Sequence, residues 1–484
     1  MPPPSAHAVQ SRPLPESCAR TTLAWLQVTL ALGLGLLLRL WFLHKDPAVT
    51  GDSQIYGAIA QNLLRHGVYG YHATVHEVVP TLIRLPGYPL FLAACFAVFG
   101  VDHYTPVLLL QIAVDLCGCV LLAALAGRLW SRRASLWTLW LAALCPFTAS
   151  YTAAALTETL ELFATTAALY CVARGLALNA EDQAQAVRPR WLAGATVAWI
   201  GAVLLRPDGA LLGVVLCPAI VLYSRRRPFA RRGLRIAALA ALASLLAFVP
   251  WTVRNWHTFH VLQPLAPRYA TDPGESTNPG FEQWTRSICA DLACTADVYW
   301  QANDGPIDLS TLPDRAFDSE AQRAQTAGLL ADYNRTTTLT PALDQRFGAL
   351  ARERIHAHPI RYYVGLPLLR LMDMWLRPRI EFFNIDLRWW TYASQGSDTI
   401  LAYALGAINL GYLVLAIVGA VRRPPLLWIF AAFTVLRCAL LLTIEAPETR
   451  YTLEWYPMLI VLAGIALAEK STPPSPWPAL ATHR

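Results

Sequence analysis

The spacing of the apolar runs constrains this sequence most. About ten stretches approach the ~20 residues that cross a bilayer as a helix. They fall at about Thr22–Leu43, Tyr104–Leu129, Ala134–Ala153, Leu156–Leu176, Trp191–Leu205, Ala210–Tyr223, Leu234–Val253, Ile400–Val421, Leu426–Ile444 and Tyr451–Ala468. Charged residues make up only 15% of the 484, and mean hydropathy is +0.38; soluble domains carry about 25% charge. Lipid is therefore the main solvent, and the expected fold is an all-α polytopic membrane protein of about ten transmembrane helices.

The net charge is +7, almost all from arginine. In such a chain that surplus reports orientation, not nucleic-acid binding, so no nucleic-acid partner is expected. Arg39, His44 and Lys45 flank the exit of the first run, where long side chains can snorkel, so that run does not orient the chain alone. The later clusters do: Arg128 to Arg133, Arg174 to Arg190, Arg225 to Arg232, and Arg422-Arg423. Placing all of them in the cytoplasm leaves both ends there. The run Pro86 to Gly100 must then not cross, since a crossing would export Arg128 to Arg133. It reads as a re-entrant or juxtamembrane segment, tolerated where a cavity or protein satisfies its backbone.

The expected organisation follows. Residues 1–21 form a disordered cytoplasmic tail without a small-residue cleavage site, so the first span is expected to be retained. Residues 22–256 form an N-terminal transmembrane module, with a first outside loop at 45–103. Residues 257–399 form a small extracytoplasmic α or α+β domain, with Gly and Pro turns near Asp272 and Asn278. Within it Pro341 to His356 reads as helix and Pro359 to Met374 as amphipathic. Residues 400–468 carry the last spans, and 469–484 a Pro-rich cytoplasmic tail. Cys289 and Cys294, alone in the outside domain, are a disulfide candidate on an oxidising side.

Polar residues gather at one membrane boundary. Asp52 follows the first span, Tyr56 stands one helical turn on, and Arg84 sits where the chain returns to the membrane. Asp52 is also a plausible helix N-cap ahead of the Ile55, Ile59, Leu63 stripe. Glu158 and Glu161 open another span from outside, where acidic residues also complement a helix dipole. Arg437 lies inside a span, where a charge costs about 2.5–3.5 kcal/mol. Gln111 and Asp115 share a helix face and read as interhelical hydrogen-bonding groups. Arg206-Pro207-Asp208-Gly209 reads as a turn with an internal ion pair. No zinc-type cysteine spacing and no Gly-rich phosphate loop occur.

Four motifs in order carry a family resemblance. They are Asp52-Ser53-Gln54-Ile55-Tyr56; Arg84-Leu85-Pro86-Gly87-Tyr88-Pro89-Leu90 with Phe99-Gly100; Pro250-Trp251-Thr252-Val253-Arg254-Asn255; and Glu448-Thr449-Arg450-Tyr451. The set resembles integral-membrane glycosyltransferases of the GT-C fold, in the branch of protein O-mannosyltransferases and lipid A aminoarabinose transferases. The resemblance frames nearly the whole chain but supplies no motif within the outside domain. It implies a bacterial inner-membrane enzyme that moves a sugar from a polyprenyl-phosphate donor, with inversion, to a lipid, glycan or protein acceptor outside the cytoplasm. Membrane lipids would surround it, and no cofactor is expected.

Such a site needs a carboxylate to take the acceptor proton and cations to hold the departing phosphate. The resemblance maps the base onto Asp52 and a second acidic residue onto Glu158. Tyr56, Arg84, Tyr88, Arg254, Arg437, Arg450 and Tyr451 are the candidate donor and phosphate contacts. Many relatives carry a second acidic residue beside the base; here Gly51 and Ser53 flank Asp52, which argues against a metal. A lipid or glycan transporter would suit the same number of spans, but no internal repeat of the kind transporters show is visible.

Overall fold

The computed structural model describes residues 16–45, 47–49, 51–74, 77–176, 178, 188–224, 230–383, 385–390 and 396–469. Most of both expected tails, and Arg225 to Arg227 of the densest basic cluster, lie outside the described residues.

The membrane module begins with α1 (Glu16–Lys45). The stretch after α1 then folds into α2 (Asp52–His66), a hairpin of β1 (Gly70–Thr74) and β2 (Glu77–Pro80), and α3 (Gly87–Phe99). The hairpin is antiparallel, pairing Gly70 with Pro80 and His72 with Val78. Next come α4 (Tyr104–Leu129), α5 (Arg132–Ala143), α6 (Pro146–Tyr151), α7 (Glu158–Gly175), α8 (Pro189–Leu205), α9 (Ala210–Ser224) and α10 (Ala230–Phe259).

Among the described residues, four helices are long and apolar enough to cross a membrane by length and composition, within α1, α4, α10 and α16 (Gly396–Val421). The helices α3, α8, α9 and α17 (Leu427–Leu441) are apolar but shorter, at 13 to 17 residues. Two expected spans are not single helices. Ala134–Ala153 breaks between α5 and α6, where Pro146 removes an N–H and sits in the first turn of the second helix. Tyr451–Ala468 begins as a 3-10 turn, Thr449–Trp455, and becomes α18 (Tyr456–Ala466) where Pro457 fits the first turn.

The main core joins α4, α5, α7, α16 and α18 through residues such as Leu125, Leu169, Tyr456 and Val461. Facing outward, α10 exposes Leu239, Leu242, Leu245 and Leu246, and α16 exposes Ile400, Leu410, Ile417 and Val421. Bare apolar faces of this kind on long helices suit hydrocarbon. Arg39 does not snorkel. It is fully buried, donating from Nε to Asp115 at 2.6 Å and from Nη1 to the Gly35 and Ala143 carbonyls. Gln111 and Asp115 are interhelical groups as read, but with different partners. Gln111 accepts from the Tyr88 hydroxyl at 2.7 Å and donates to the Ala154 carbonyl, while Asp115 neutralises Arg39.

The segment between α10 and α16 has its own core of Phe281, Trp284, Tyr333 and Phe347. It is built by α11 (Pro279–Ile288), the single turn α12 (Leu292–Cys294), α13 (Glu320–Asn334), α14 (Pro341–Ala357) and α15 (Leu366–Leu376). A disulfide joins Cys289 to Cys294, with Cα atoms 5.3 Å apart. Among the described residues this segment is helical, and the two β-strands lie between α2 and α3 instead.

Candidate active site

The loop leaving α1 is fastened before it reaches Asp52. Ala48 donates to the Ala153 carbonyl and accepts from Ala155, a short parallel bridge to the strand-like stretch that leads into α7. Gly51 then turns at φ 55°, ψ −119°, which strains any residue with a Cβ. Asp52 starts α2 without capping it: Gly51 is the N-cap, and no side chain accepts from the first-turn amides. The carboxylate is left to point elsewhere.

It points at two guanidinium groups. Arg84 Nη2 lies 2.6 Å from Asp52 Oδ1, and Arg450 Nη1 lies 2.9 Å from Oδ2. Burial alone would raise the Asp52 carboxyl, but Arg450 and Arg84 together hold it below the usual carboxylate range. Arg450 is held in turn by Glu448 at 2.6 Å, which also accepts from the Tyr451 hydroxyl at 2.8 Å. Tyr56 packs edge-on against Tyr88 with the Arg84 guanidinium over its ring, and burial pushes its phenol up to about 12. Gly87 of the second motif has a packing reason: a Cβ there would meet the Leu204 carbonyl at 2.6 Å, where α3 abuts α8.

These groups line one cavity of about 500 Å3. Asp52, Tyr56, Arg84, Glu158, Arg450 and Tyr451 all face it. One rim comes from the segment leading into α11, at Arg268 and Tyr269, with Tyr299 and Trp300 beyond. Arg268 bridges the rim to the end of α17, pairing with Glu445 at 2.8 Å and with the Thr443 carbonyl. Apolar Leu440, Leu441 and Ile444 complete that wall.

Three sequence candidates stand elsewhere. Tyr88 is fully buried on Gln111 and does not line the cavity. Arg254 donates to backbone carbonyls at the base of the hairpin, away from the cavity. Arg437 is fully buried and engaged by Asp208 at 2.8 Å and Glu454 at 2.6 Å, so its guanidinium serves carboxylates and not the cavity.

Sequence reasoning missed the residue that joins these parts. Arg206 is more than half of a turn-internal ion pair. Besides Asp208 it meets Glu158 at 3.2 Å and Glu161 and Glu454 at 3.4 Å each. Pro207 forces Arg206 out of the helical region, to φ −144°, ψ 136°, which ends α8 and turns the side chain into the cavity. Burial would raise the Asp208 carboxyl, but Arg437 and Arg206 bring it down to about 2. The available signal was an Arg and an Asp flanking a proline between two short apolar runs. Among the described residues no group of three or more His, Cys, Asp or Glu side chains is placed to hold a metal ion.

Residues 80–253 match the family described as dolichyl-phosphate-mannose-protein mannosyltransferase. The matched stretch contains Arg84, Glu158 and Arg206, while Asp52 and Arg450 lie on either side of it. With the ordered motifs, it marks the chain as similar to membrane glycosyltransferases of the GT-C type. Among solved structures, ArnT from Cupriavidus metallidurans in the apo state aligns over 93% of this chain and 78% of its own, at 16% identity and a TM-score of 0.41. ArnT bound to undecaprenyl phosphate aligns over 91% and 77%, at 16% identity and 0.39. The Archaeoglobus fulgidus oligosaccharyltransferase tethered with an acceptor peptide aligns over 93% and 50%, at 13% identity and 0.48. Comparison with curated proteins finds no match.

Proposed function

We propose that this chain moves a monosaccharide from a polyprenyl-phosphate donor to an acceptor hydroxyl on the extracytoplasmic face of a bacterial inner membrane, with inversion. The observation that carries the reading is the double ion pair of Asp52 with Arg84 and Arg450 at a cavity wall. The family match over residues 80–253 supports the reaction class. The disulfide in the outside segment supports an oxidising side for the cavity. About ten crossings with both ends cytoplasmic, and five regions bounded as above, remain part of the proposal.

The chemistry needs one base and one phosphate clamp. Asp52 takes the proton of the acceptor O–H as that oxygen attacks the anomeric carbon from the face opposite the phosphate. The bond from carbon to phosphate oxygen breaks, and its electron pair leaves with the polyprenyl phosphate. Arg84 and Arg450 are the cations within reach of that phosphate, and Tyr56 and Tyr451 flank them. An arriving phosphate competes with Asp52 for both guanidinium groups. As they turn to it, the carboxylate loses the partners that keep its basicity low, so donor binding readies the base. No step of this sequence calls for a metal or other cofactor.

Glu158 acts one position removed. Its carboxylate is on Arg206, so its role is to fix the wall of the cavity and not to exchange a proton. The acceptor, whether lipid, glycan or protein, meets the rim at Arg268, Tyr269 and Trp300.

The reading is tested by supplying membranes that contain the chain with a panel of polyprenyl-phosphate sugars and following release of polyprenyl phosphate with formation of a glycosylated product. Inverted anomeric configuration in the product supports it. Movement of lipid across the bilayer without a product would favour a transporter.

A further inference from the structure

We propose that Arg254 and Tyr69 are positioning residues that hold Arg84 against Asp52, through the open end of the hairpin, and do not touch the donor. The inference rests on the reading of the Asp52–Arg84 pair as part of the reaction centre.

The hairpin ends at Gly70 and Pro80, so Tyr69 and Thr81 are the residues at its open end. Arg254, on the last turns of α10, donates from Nη2 to the Tyr69 carbonyl and from Nη1 to the Thr81 carbonyl, both at 2.7 Å. One planar fork thus closes both strands at once, a geometry an ammonium group does not reproduce. The guanidinium is braced by the rings of Tyr69, Trp251 and Phe259, each with its centroid 5.3 Å away.

The clamp is transmitted to Arg84 by a second bond. The Tyr69 hydroxyl donates to the Arg84 carbonyl at 3.0 Å, while its ring packs edge-on against Trp251. Between those points the Leu82 amide donates to Asp272 Oδ1 at 2.8 Å, fastening the same short stretch to the segment before the outside domain. Residues 81, 82 and 84 are therefore each held by a separate bond, and the Arg84 side chain departs from a fixed backbone toward Asp52. A guanidinium meant for a substrate phosphate would have to leave both strand ends open when it moved. Arg254 is built to stay.

A double-mutant cycle on the full chain in lipid nanodiscs tests this, with undecaprenyl phosphate as the probe. Tyr69→Phe keeps the ring and removes only the hydroxyl; Arg254→Lys keeps the charge and removes the fork. Each is expected to weaken binding of the probe about 3- to 10-fold, the scale of one or two net hydrogen bonds. Placed on Arg84→Gln, neither is expected to weaken it further. Losses that multiply in the Arg84→Gln background, or unchanged binding by both variants, overturn the proposal. Should the wild type fail to bind the probe, the lipid-phosphate reading itself fails, and the cycle is read from unfolding instead. The stability that Asp52 contributes at neutral pH, taken as wild type minus Asp52→Asn, then shrinks in Tyr69→Phe only if Arg84 is present. A difference unaltered by Tyr69→Phe overturns the positioning role in that case too.

Discussion

Asp52 and Arg450 lie 398 residues apart in the chain and meet at 2.9 Å. Closing so long a loop has a modest entropic cost that grows only with the logarithm of its length, and here it is met by the packed helices that lie between. The pair joins the start of α2 to the turn before α18, so any disturbance of either is felt at one carboxylate.

The two arginines on Asp52 make a pH prediction. A carboxyl with its pKa lowered contributes stability above its unfolded value, about 3.9, and loses it as pH falls through the folded value. Removing either partner brings the folded value back up. In Arg84→Gln or Arg450→Gln the acid limb of a pH–rate profile moves to higher pH, and transfer at neutral pH falls by at least 10-fold with loss of phosphate stabilisation. A limb that stays in place would separate these residues from Asp52.

Arg206 is the cation shared by Glu158, Glu161, Asp208 and Glu454. Replacing it with Met leaves buried carboxylates with one partner, Arg437, and that reaches only Asp208 and Glu454. The expected cost is about 3–5 kcal/mol, the range for breaking a buried pair from one side. Thermal unfolding in detergent should show a large drop for Arg206→Met, and part of it should return when Glu161→Gln is added.

Glu282, on α11, is pushed up to about 7, by burial first and then by Glu445 and Asp344. The folded state therefore binds a proton that the unfolded state releases near 4.5. The sign follows: this group's contribution to stability is full below the unfolded value, is lost as pH rises toward 7, and is flat beyond. Glu282→Gln should remove that decline, leaving the variant more stable than the wild type at pH 8 and little changed at pH 4, as read by thermal unfolding.

The disulfide at Cys289–Cys294 closes a short loop between α11 and α12. Loop-closure entropy for a loop of this size gives about 2 kcal/mol. Cys289→Ser with Cys294→Ser should lower the unfolding midpoint of the segment between α10 and α16 under oxidising conditions, while added reductant should leave the double variant unaffected.

The sequence makes the boundary residues legible and the interior ones not. Asp52, Tyr56 and Arg84 sit where the chain leaves an apolar run and returns to one, Arg450 and Tyr451 stand in the last motif of the family resemblance, and the cavity lines all five up. Arg254 has the same sequence look at the end of a run, and Arg437 stands inside one. What separates them is which neighbours they face, Asp208 and Glu454 in one case and two carbonyls in the other, and a single sequence does not state partners. Arg206 was hidden for the converse reason: a local Asp two residues on offers a sufficient partner on paper, while three carboxylates from α7 and the last turn arrive only on folding. Hydropathy averaged across Pro146 and Pro457 joins pieces that backbone geometry keeps apart.

The most direct measurement is sugar transfer by Asp52→Asn, assayed in membranes supplied with a polyprenyl-phosphate sugar that the wild type uses, at matched protein level and matched unfolding temperature. The amide keeps the size of the side chain but accepts no proton near neutral pH, so a loss of at least 100-fold in turnover is expected, the low end of what a positioned base supplies. Turnover within a few-fold of wild type would contradict the assignment of Asp52 as the base.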